Sequence, residues 1–422
     1  MEPKYDKIYM CIDLKSFFAS VECVDMGLDP FTTNLVVADP ARGSGAICLA
    51  ITPAMKALGI RNRCRVFEIP QGVEYITAKP RMKRYMEVSA DIYEEYLKYI
   101  SAEDIHIYSI DECFIDATPY LKMYQKTPRQ LAVMLMQAVF ERTKICATAG
   151  VGTNLFLAKV ALDVTAKHAP DHIGMLGEQQ FKERIWYHLP LTDIWGIGKR
   201  TEERLNKLGA YNLFDVTRVD EKLLYKEFGV NAQLLIDHAH GREPCTMAQI
   251  RSYTAQSHSI SNGQILFEDY SYDDAFTVMK EMVENLVLEL VEKQLAADSI
   301  SLSVGYSKDI KPRTGATRKL GVVTGSYSKL SEQFERAFAE TTRRDTPIRS
   351  INIALGGVVD EVYSTIDLFT DTQAEEREHS MQQAILEIKH KYGKNALIRG
   401  MSLRDKATGR QRNNMIGGHN GG

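Results

Sequence analysis

The run Ile8-Tyr9-Met10-Cys11-Ile12-Asp13-Leu14-Lys15-Ser16-Phe17-Phe18 stays apolar until it meets a carboxylate. A second run, Ile105-His106-Ile107-Tyr108-Ser109-Ile110-Asp111-Glu112-Cys113-Phe114-Ile115, does the same and meets two. Both read as strands. Residues 110–112 read as a hairpin tip that sets two carboxylates beside the end of the first strand. Taken singly, each acid is equally well an ordinary turn residue. Together they repel one another unless a cation neutralises them. Hard cations such as magnesium take oxygen ligands of this kind. Asp13, Asp111 and Glu112 are therefore the candidate catalytic residues of a two-metal phosphoryl transfer, with Mg2+ (two ions) activating a 3′-hydroxyl and stabilising a pyrophosphate leaving group.

Working outward, 422 residues exceed one ordinary core and imply two to four domains. At 44% hydrophobic and 25% charged, the composition is that of a globular protein. No apolar run approaches a membrane span. Met1-Glu2-Pro3-Lys4-Tyr5 lacks the apolar core of a signal peptide. The expectation is a cytoplasmic protein with no membrane partner. Seven cysteines lie scattered, with no CxxC pair, and read as reduced core residues. A net charge of −3 is not that of a uniformly basic nucleic-acid binder. Its distribution is more telling. Residues 299–329 carry Lys308, Lys311, Arg313, Arg318, Lys319 and Lys329 against Asp309 alone.

The order of elements suggests α+β architecture in several domains. Residues 1–30 and 77–178 read as strands and helices of one domain, a palm. Residues 31–76 are turn-rich and read as a small insertion. Residues 179–248 read as a run of short helices. A Ser/Thr/Gln-rich linker leads into residues 249–358, a second α+β domain. Residues 359–422 form a tail with one helix, whose end from Asn413 is expected to be poorly ordered.

Two glycine motifs bear on nucleic acid. Gly196-Ile197-Gly198-Lys199 reads as a hairpin-helix-hairpin, because glycines let backbone N–H groups face a phosphate ahead of a helix N-terminus. Such contacts grip DNA without reading sequence. The bland alternative is a turn between helices. Gly150-Val151-Gly152-Thr153-Asn154 lacks the third glycine of a dinucleotide fingerprint. It reads better as a strand leading to a helix whose Lys159 and Lys167 approach phosphates.

At this point the chain resembles the Y-family (translesion) DNA polymerases over nearly its whole length. The resemblance rests on Asp13-Leu14-Lys15-Ser16-Phe17-Phe18-Ala19-Ser20-Val21-Glu22, Tyr108-Ser109-Ile110-Asp111-Glu112, Gly150-Val151-Gly152-Thr153-Asn154 with Ala158-Lys159, and Trp195-Gly196-Ile197-Gly198. It is most similar to the UmuC/polymerase V-like branch of Gram-positive bacteria. The resemblance implies a right-handed polymerase with palm, small fingers, helical thumb and C-terminal little finger, acting on primer-template DNA and a deoxynucleoside triphosphate. It implies that Asp13, Asp111, Glu112 and the Leu14 carbonyl hold the metals. Phe18 falls at the steric-gate position; Phe17 is adjacent, and one of the two must face inward. The family's fingers contact the triphosphate with Tyr and Arg. Here those positions read Pro53 and Lys56, and the nucleotide-binding candidates are Phe17, Phe18, Thr52, Lys56 and Lys167. Gly196, Gly198, Lys199, Lys311, Arg313, Arg318 and Lys319 are the DNA-binding candidates. Thr365-Ile366-Asp367-Leu368-Phe369 keeps the apolar anchors of a sliding-clamp peptide, Leu368 and Phe369, without its initial Gln.

The activity implied is low-fidelity, template-directed synthesis past damaged bases. Roughly 45 residues of fingers cannot build a large closing lid that checks base-pair shape. Two other classes compete: a magnesium-dependent nuclease or cyclase with a related palm, and a non-catalytic DNA-binding accessory subunit.

Overall fold

The structure, a computed structural model, describes residues 7–255, 258–307, 310–363, 365 and 371–422. The chain divides into two compact units, Met1–Tyr253 with Gly422, and Thr254–Gly421.

In the first unit, strand β1 (Tyr9–Leu14) leads into helix α1 (Phe17–Asp25). Strands β2 (Leu35–Val37), β3 (Ala50–Ile51) and β4 (Ile76–Ala78) then form a small sheet, with helix α2 (Pro53–Ala57) between the last two. This subdomain has its own core, built on Val36, Cys48, Ile51, Met55 and Cys64. Helix α3 (Met82–Leu97) follows, then the hairpin of β5 (Ile105–Ile107) and β6 (Glu112–Asp116). After helices α4 (Thr118–Met123) and α5 (Pro128–Thr143) come β7 (Ala147–Gly152), α6 (Leu155–Val160) and β8 (Ile173–Leu176).

The main sheet has the order β5-β6-β1-β7-β8. Its two faces differ because side chains alternate along a strand. Met10, Ile12 and Leu14 enter the core made with Tyr85, Val88 and Ile92 of α3 and Leu131 and Leu135 of α5. Tyr9 and Cys11 face the other way, toward Leu155 and Ala158 of α6. Asp13 shares the parity of Cys11. The sheet pairs Asp13 with Glu112 directly across strands.

The glycines of β7 have a packing purpose. A Cβ on Gly150 would sit 2.1 Å from the Ala158 carbonyl oxygen, and one on Gly152 would sit 2.3 Å from the Ala158 nitrogen. They let α6 lie against the strand, and Asn154 caps that helix through the Leu157 N–H at 2.8 Å. The unit ends in helices α7 (Glu178–Arg184), α8 (Lys199–Lys207), α9 (Leu213–Val216), α10 (Glu221–Phe228), α11 (Ala232–Ala239) and α12 (Met247–Ser252).

The second unit is a sheet of order β11-β10-β12-β9 with two helices on one face. Its elements are β9 (Ile260–Tyr270), α13 (Tyr272–Lys293), β10 (Leu295–Tyr306), β11 (Thr314–Thr324), α14 (Tyr327–Thr341) and β12 (Ile348–Gly356). Helix α15 (Thr372–Tyr392) packs on α13. Its Glu378 carboxylate accepts from the Ser328 N–H at 2.8 Å, in the first turn of α14.

One expectation fails here. The chain beyond Asn413 is folded, not loose: Met415–Ile416 pairs with His419–Asn420. Asparagine amides do the tying, which an apolar count does not register. Asn413 donates to Asn395 Oδ1 at 2.8 Å and to the Lys394 carbonyl at 3.2 Å. The buried Glu281 accepts from the Thr408 and Gly409 N–H groups, both at 2.9 Å.

Candidate active site

The acids gather where β1 ends and β6 begins. The Leu14 N–H donates to the Asp111 carbonyl at 2.9 Å, which ties the hairpin tip to the first strand. Tyr108 and Ser109 both donate to the Glu112 carbonyl at 3.0 Å and close the turn. The Ser109 hydroxyl donates to Asp111 Oδ1 at 2.7 Å. Burial, then the nearby Asp111 and Glu112 charges, push the Asp13 carboxyl up to about 7.

Lys159 supplies the countercharge. Its ammonium lies 2.8 Å from Glu112 Oε1 and 2.9 Å from Oε2, and 3.1 Å from Asp163. The Cys11 thiol donates to Glu112 Oε1 at 3.0 Å. Burial pulls the Lys159 ammonium down, and Cys11, Asp163 and Glu112 more than reverse it. Among the described residues, no three acidic, His or Cys side chains form a ready-made metal cage. Glu112 turns both oxygens to Lys159. The donor set nevertheless suits a hard divalent cation: oxygen ligands only, with one carboxyl raised by burial and by its acidic neighbours.

Across from the acids stands a second group of cations. Lys15 and Lys167 lie close enough for their charges to act on Lys56. Partial loss of water around the exposed Lys56 lowers its ammonium; Asp13 opposes this, and Lys15 and Lys167 add to it. Lys15 lies 3.1 Å from the His172 ring. Thr52 is different from its expected role. It is fully buried, and its hydroxyl accepts from the Leu35 N–H at 3.2 Å. It holds β2 to the start of α2, and its side chain is not presented to a triphosphate.

Ser16 adopts a left-handed conformation, φ 49°, at the turn into α1. That turn sends Phe17 into the core, where it is 2% exposed, and leaves Phe18 half-buried. Phe17 is thus a packing residue rather than a nucleotide contact. The Phe18 ring stacks on Tyr85 at 4.4 Å, and the Tyr85 hydroxyl donates to Glu22 at 2.7 Å. The gate candidate therefore has a rigid backing.

At the hairpin of Gly196-Ile197-Gly198, Gly196 takes φ +86°, which strains any residue with a side chain. Gly196, Gly198 and Lys199 are all exposed. Trp195, just before them, donates from Nε1 to the Tyr108 hydroxyl at 3.1 Å and packs edge-on against its ring. The glycine turn is thereby fastened to the turn between β5 and β6, where Asp111 lies. Lys15, Lys159 and Trp195 lie in the quoted motifs, and Tyr85 lies outside them, in α3. Their roles depend on cross-strand and interhelix contacts that spacing alone does not reveal.

In the second unit, the four basic candidates separate into two pairs. Arg318 is ion-paired with Glu340 and Lys319 with Asp298. Lys311 and Arg313 line a cleft of about 1060 Å³, together with Tyr306 and Arg349. Leu368 and Phe369 lie outside the described residues.

Nucleotidyl transfer needs acids that suit a cation and cations that suit a polyphosphate, and the first unit holds both kinds of group. That is the class of protein the fold and site define. Models of the impB/mucB/samB family match residues 12–163, its C-terminal domain residues 257–368, and the family's HHH motif residues 182–210. UvrX of Bacillus subtilis (strain 168), named for UV-damage repair, is 30% identical, covering 98% of this chain and 97% of that protein. DNA polymerase IV 2 of Halalkalibacterium halodurans is 28% identical over 98% of this chain and 99% of its own. A Y-family polymerase chimera of Dbh and Dpo4 shares the fold, with TM-score 0.65 at 21% identity, over 84% of this chain and 99% of its own. The chain belongs to the impB/mucB/samB family, the Y-family DNA polymerases, and is a DNA-directed DNA polymerase. Enzymes of this family depend on divalent metal. Among the described residues, no helix is long and apolar enough to cross a membrane.

Two predictions follow from the charges. Without divalent metal, native Asp13 keeps a proton that the unfolded chain loses between about pH 4 and pH 7. Its contribution to stability is full below that window and lost as pH rises through it. Urea unfolding in chelator should show the parent losing stability from pH 5 to 8, by at most a few kcal/mol. Asp13→Asn should flatten that slope; an unchanged slope would place the titrating group elsewhere.

The second concerns DNA. Lys311→Gln with Arg313→Gln should weaken binding severalfold and reduce its salt dependence, because among the described residues these cations have no acid partner to release first. Arg318→Gln with Lys319→Gln should do less. Equal effects in a salt titration of DNA affinity would contradict the division.

Proposed function

We propose that this polymerase extends a DNA primer past damaged template bases, with low fidelity, by two-metal-ion transfer using Mg2+. The observation that carries the reading is the cross-strand pair Asp13–Glu112, beside Asp111 and facing Lys15, Lys56 and Lys167. When bound, Mg2+ would supply Lewis-acid activation of the primer 3′-hydroxyl and stabilise the departing pyrophosphate. Asp13, Asp111, Glu112 and the Leu14 carbonyl would hold it. Glu112 would then release Lys159, which has Asp163 as a second acid to turn to. Lys15, Lys56 and Lys167 would orient the triphosphate as point charges, without the fork of an arginine. Phe18, backed by Tyr85, would stack under the sugar and exclude a 2′-hydroxyl.

In this reading residues 1–30 and 77–178 are palm, 31–76 fingers, 179–248 thumb, and 249–358 little finger. Gly196, Gly198 and Lys199 take backbone phosphates of primer-template DNA. The fingers core is small, and damage tolerance follows from the lack of a large closing lid. A cytoplasmic location fits substrates of this kind. A sliding-clamp contact at Leu368 and Phe369 rests on the motif alone. The name of the UvrX relative supports a role in damage repair. A nuclease or cyclase reading leaves the Trp195–Tyr108 tie between hairpin and thumb without a use. An accessory-subunit reading leaves the crowded acids without one.

Primer extension on intact and lesion-bearing templates tests the proposal. The parent should insert opposite lesions, and Phe18→Ala should accept ribonucleotides at least tenfold better relative to deoxynucleotides. Arrest at every lesion would overturn bypass. Unchanged sugar discrimination would move the gate to another residue.

A further inference from the structure

The folded tail builds a second polar cleft that the polymerase reaction does not use. It has a volume of about 450 Å³ and lies between α13, α15, β9 and the chain after Lys394. Arg412 stands on its wall. Its guanidinium donates to Asn262 Oδ1 at 3.1 Å and toward the Gly263 carbonyl at 3.5 Å. It has no carboxylate partner among the described residues, and burial lowers its pKa with no acid opposing. Lys389 and Lys394 line the same cleft, also without an acid partner among the described residues. Two acids are present, but each is answered within the rim: Glu289 by Lys293 at 2.5 Å and Glu292 by His390 at 3.0 Å.

A half-buried arginine without a counter-ion is costly to hold in place. The asparagine ties around Asn395 and Asn413, and the Glu281 cap on the turn at Thr408, hold it there all the same. We propose that this cleft binds the phosphate of a nucleotide, either free or at the end of a nucleic-acid strand. A guanidinium with two ammonium groups suits a phosphate. Leu288 and Leu386 offer an apolar wall for a base, and the volume is within the range of small-ligand sites. The inference is independent of the acid cluster, which lies in the other unit.

The test uses the full chain in chelator, so that the metal-dependent site is silent. Calorimetric titration with dAMP and with 5′-phosphorylated tetrathymidylate should show saturable binding of at least one. Binding of dAMP identifies a free nucleotide; binding of the phosphorylated strand alone identifies a strand end. Arg412→Gln with Lys394→Gln should weaken that binding at least tenfold, whereas Lys56→Gln with Lys167→Gln should leave it intact. Should the tail variant unfold, Lys389→Glu, outside the asparagine ties, should weaken binding to a similar degree. The proposal is overturned if neither probe binds, if unphosphorylated tetrathymidylate binds equally, if only the Lys56 and Lys167 changes matter, or if a folded Lys389→Glu binds as the parent does.

Discussion

Everything in the first unit is arranged around the repulsion of carboxylates at the end of two paired strands. Asp13 and Glu112 face each other across β1 and β6, with Asp111 one residue away. Such a cluster destabilises a fold unless positive charge sits beside it. Lys159 meets that need from α6, with both Glu112 oxygens within 2.9 Å. The helix can bring the ammonium so close because Gly150 and Gly152 leave no side chain beneath it. Strand glycines, helix, lysine and acids form a single dependency. In the proposed mechanism the same lysine competes with the cation for Glu112.

The acids are also fixed from outside the sheet. Tyr108 lies at the start of their turn and receives the Trp195 indole hydrogen bond. Trp195 stacks in turn near the buried His238, which pairs with the half-buried Glu243 at 2.9 Å. The glycine hairpin proposed to take DNA phosphates therefore shares a contact with the turn beside two acids. Precise placement of reacting groups is worth several orders of magnitude in rate.

Much of this was legible in the residues. The two strand-end runs, the glycine hairpin and the small turn-rich insertion are local patterns, and local patterns survive in a linear reading. Phe17 and Phe18 are instructive: the sequence requires one to turn inward, and the left-handed Ser16 decides which. Thr52 misled because it adjoins the position of a family contact, and only the fold reveals its hydroxyl bound to the Leu35 backbone. The pairing of Arg318 with Glu340 and Lys319 with Asp298 was equally invisible, since the partners lie 22 and 21 residues away. The ordered tail was missed for another reason. It is held by amide-to-backbone bonds and one buried glutamate, and carries no apolar periodicity.

The central claim is that Lys159 stands in for a divalent cation at crowded carboxylates. Thermal unfolding of the parent and of Lys159→Met, followed at pH 8 across a magnesium titration, tests it most directly. The account predicts that Lys159→Met melts lower in chelator, and that magnesium raises its midpoint at lower concentration and by more than it raises the parent's. A magnesium response identical in the two proteins, or absent from both, would contradict it.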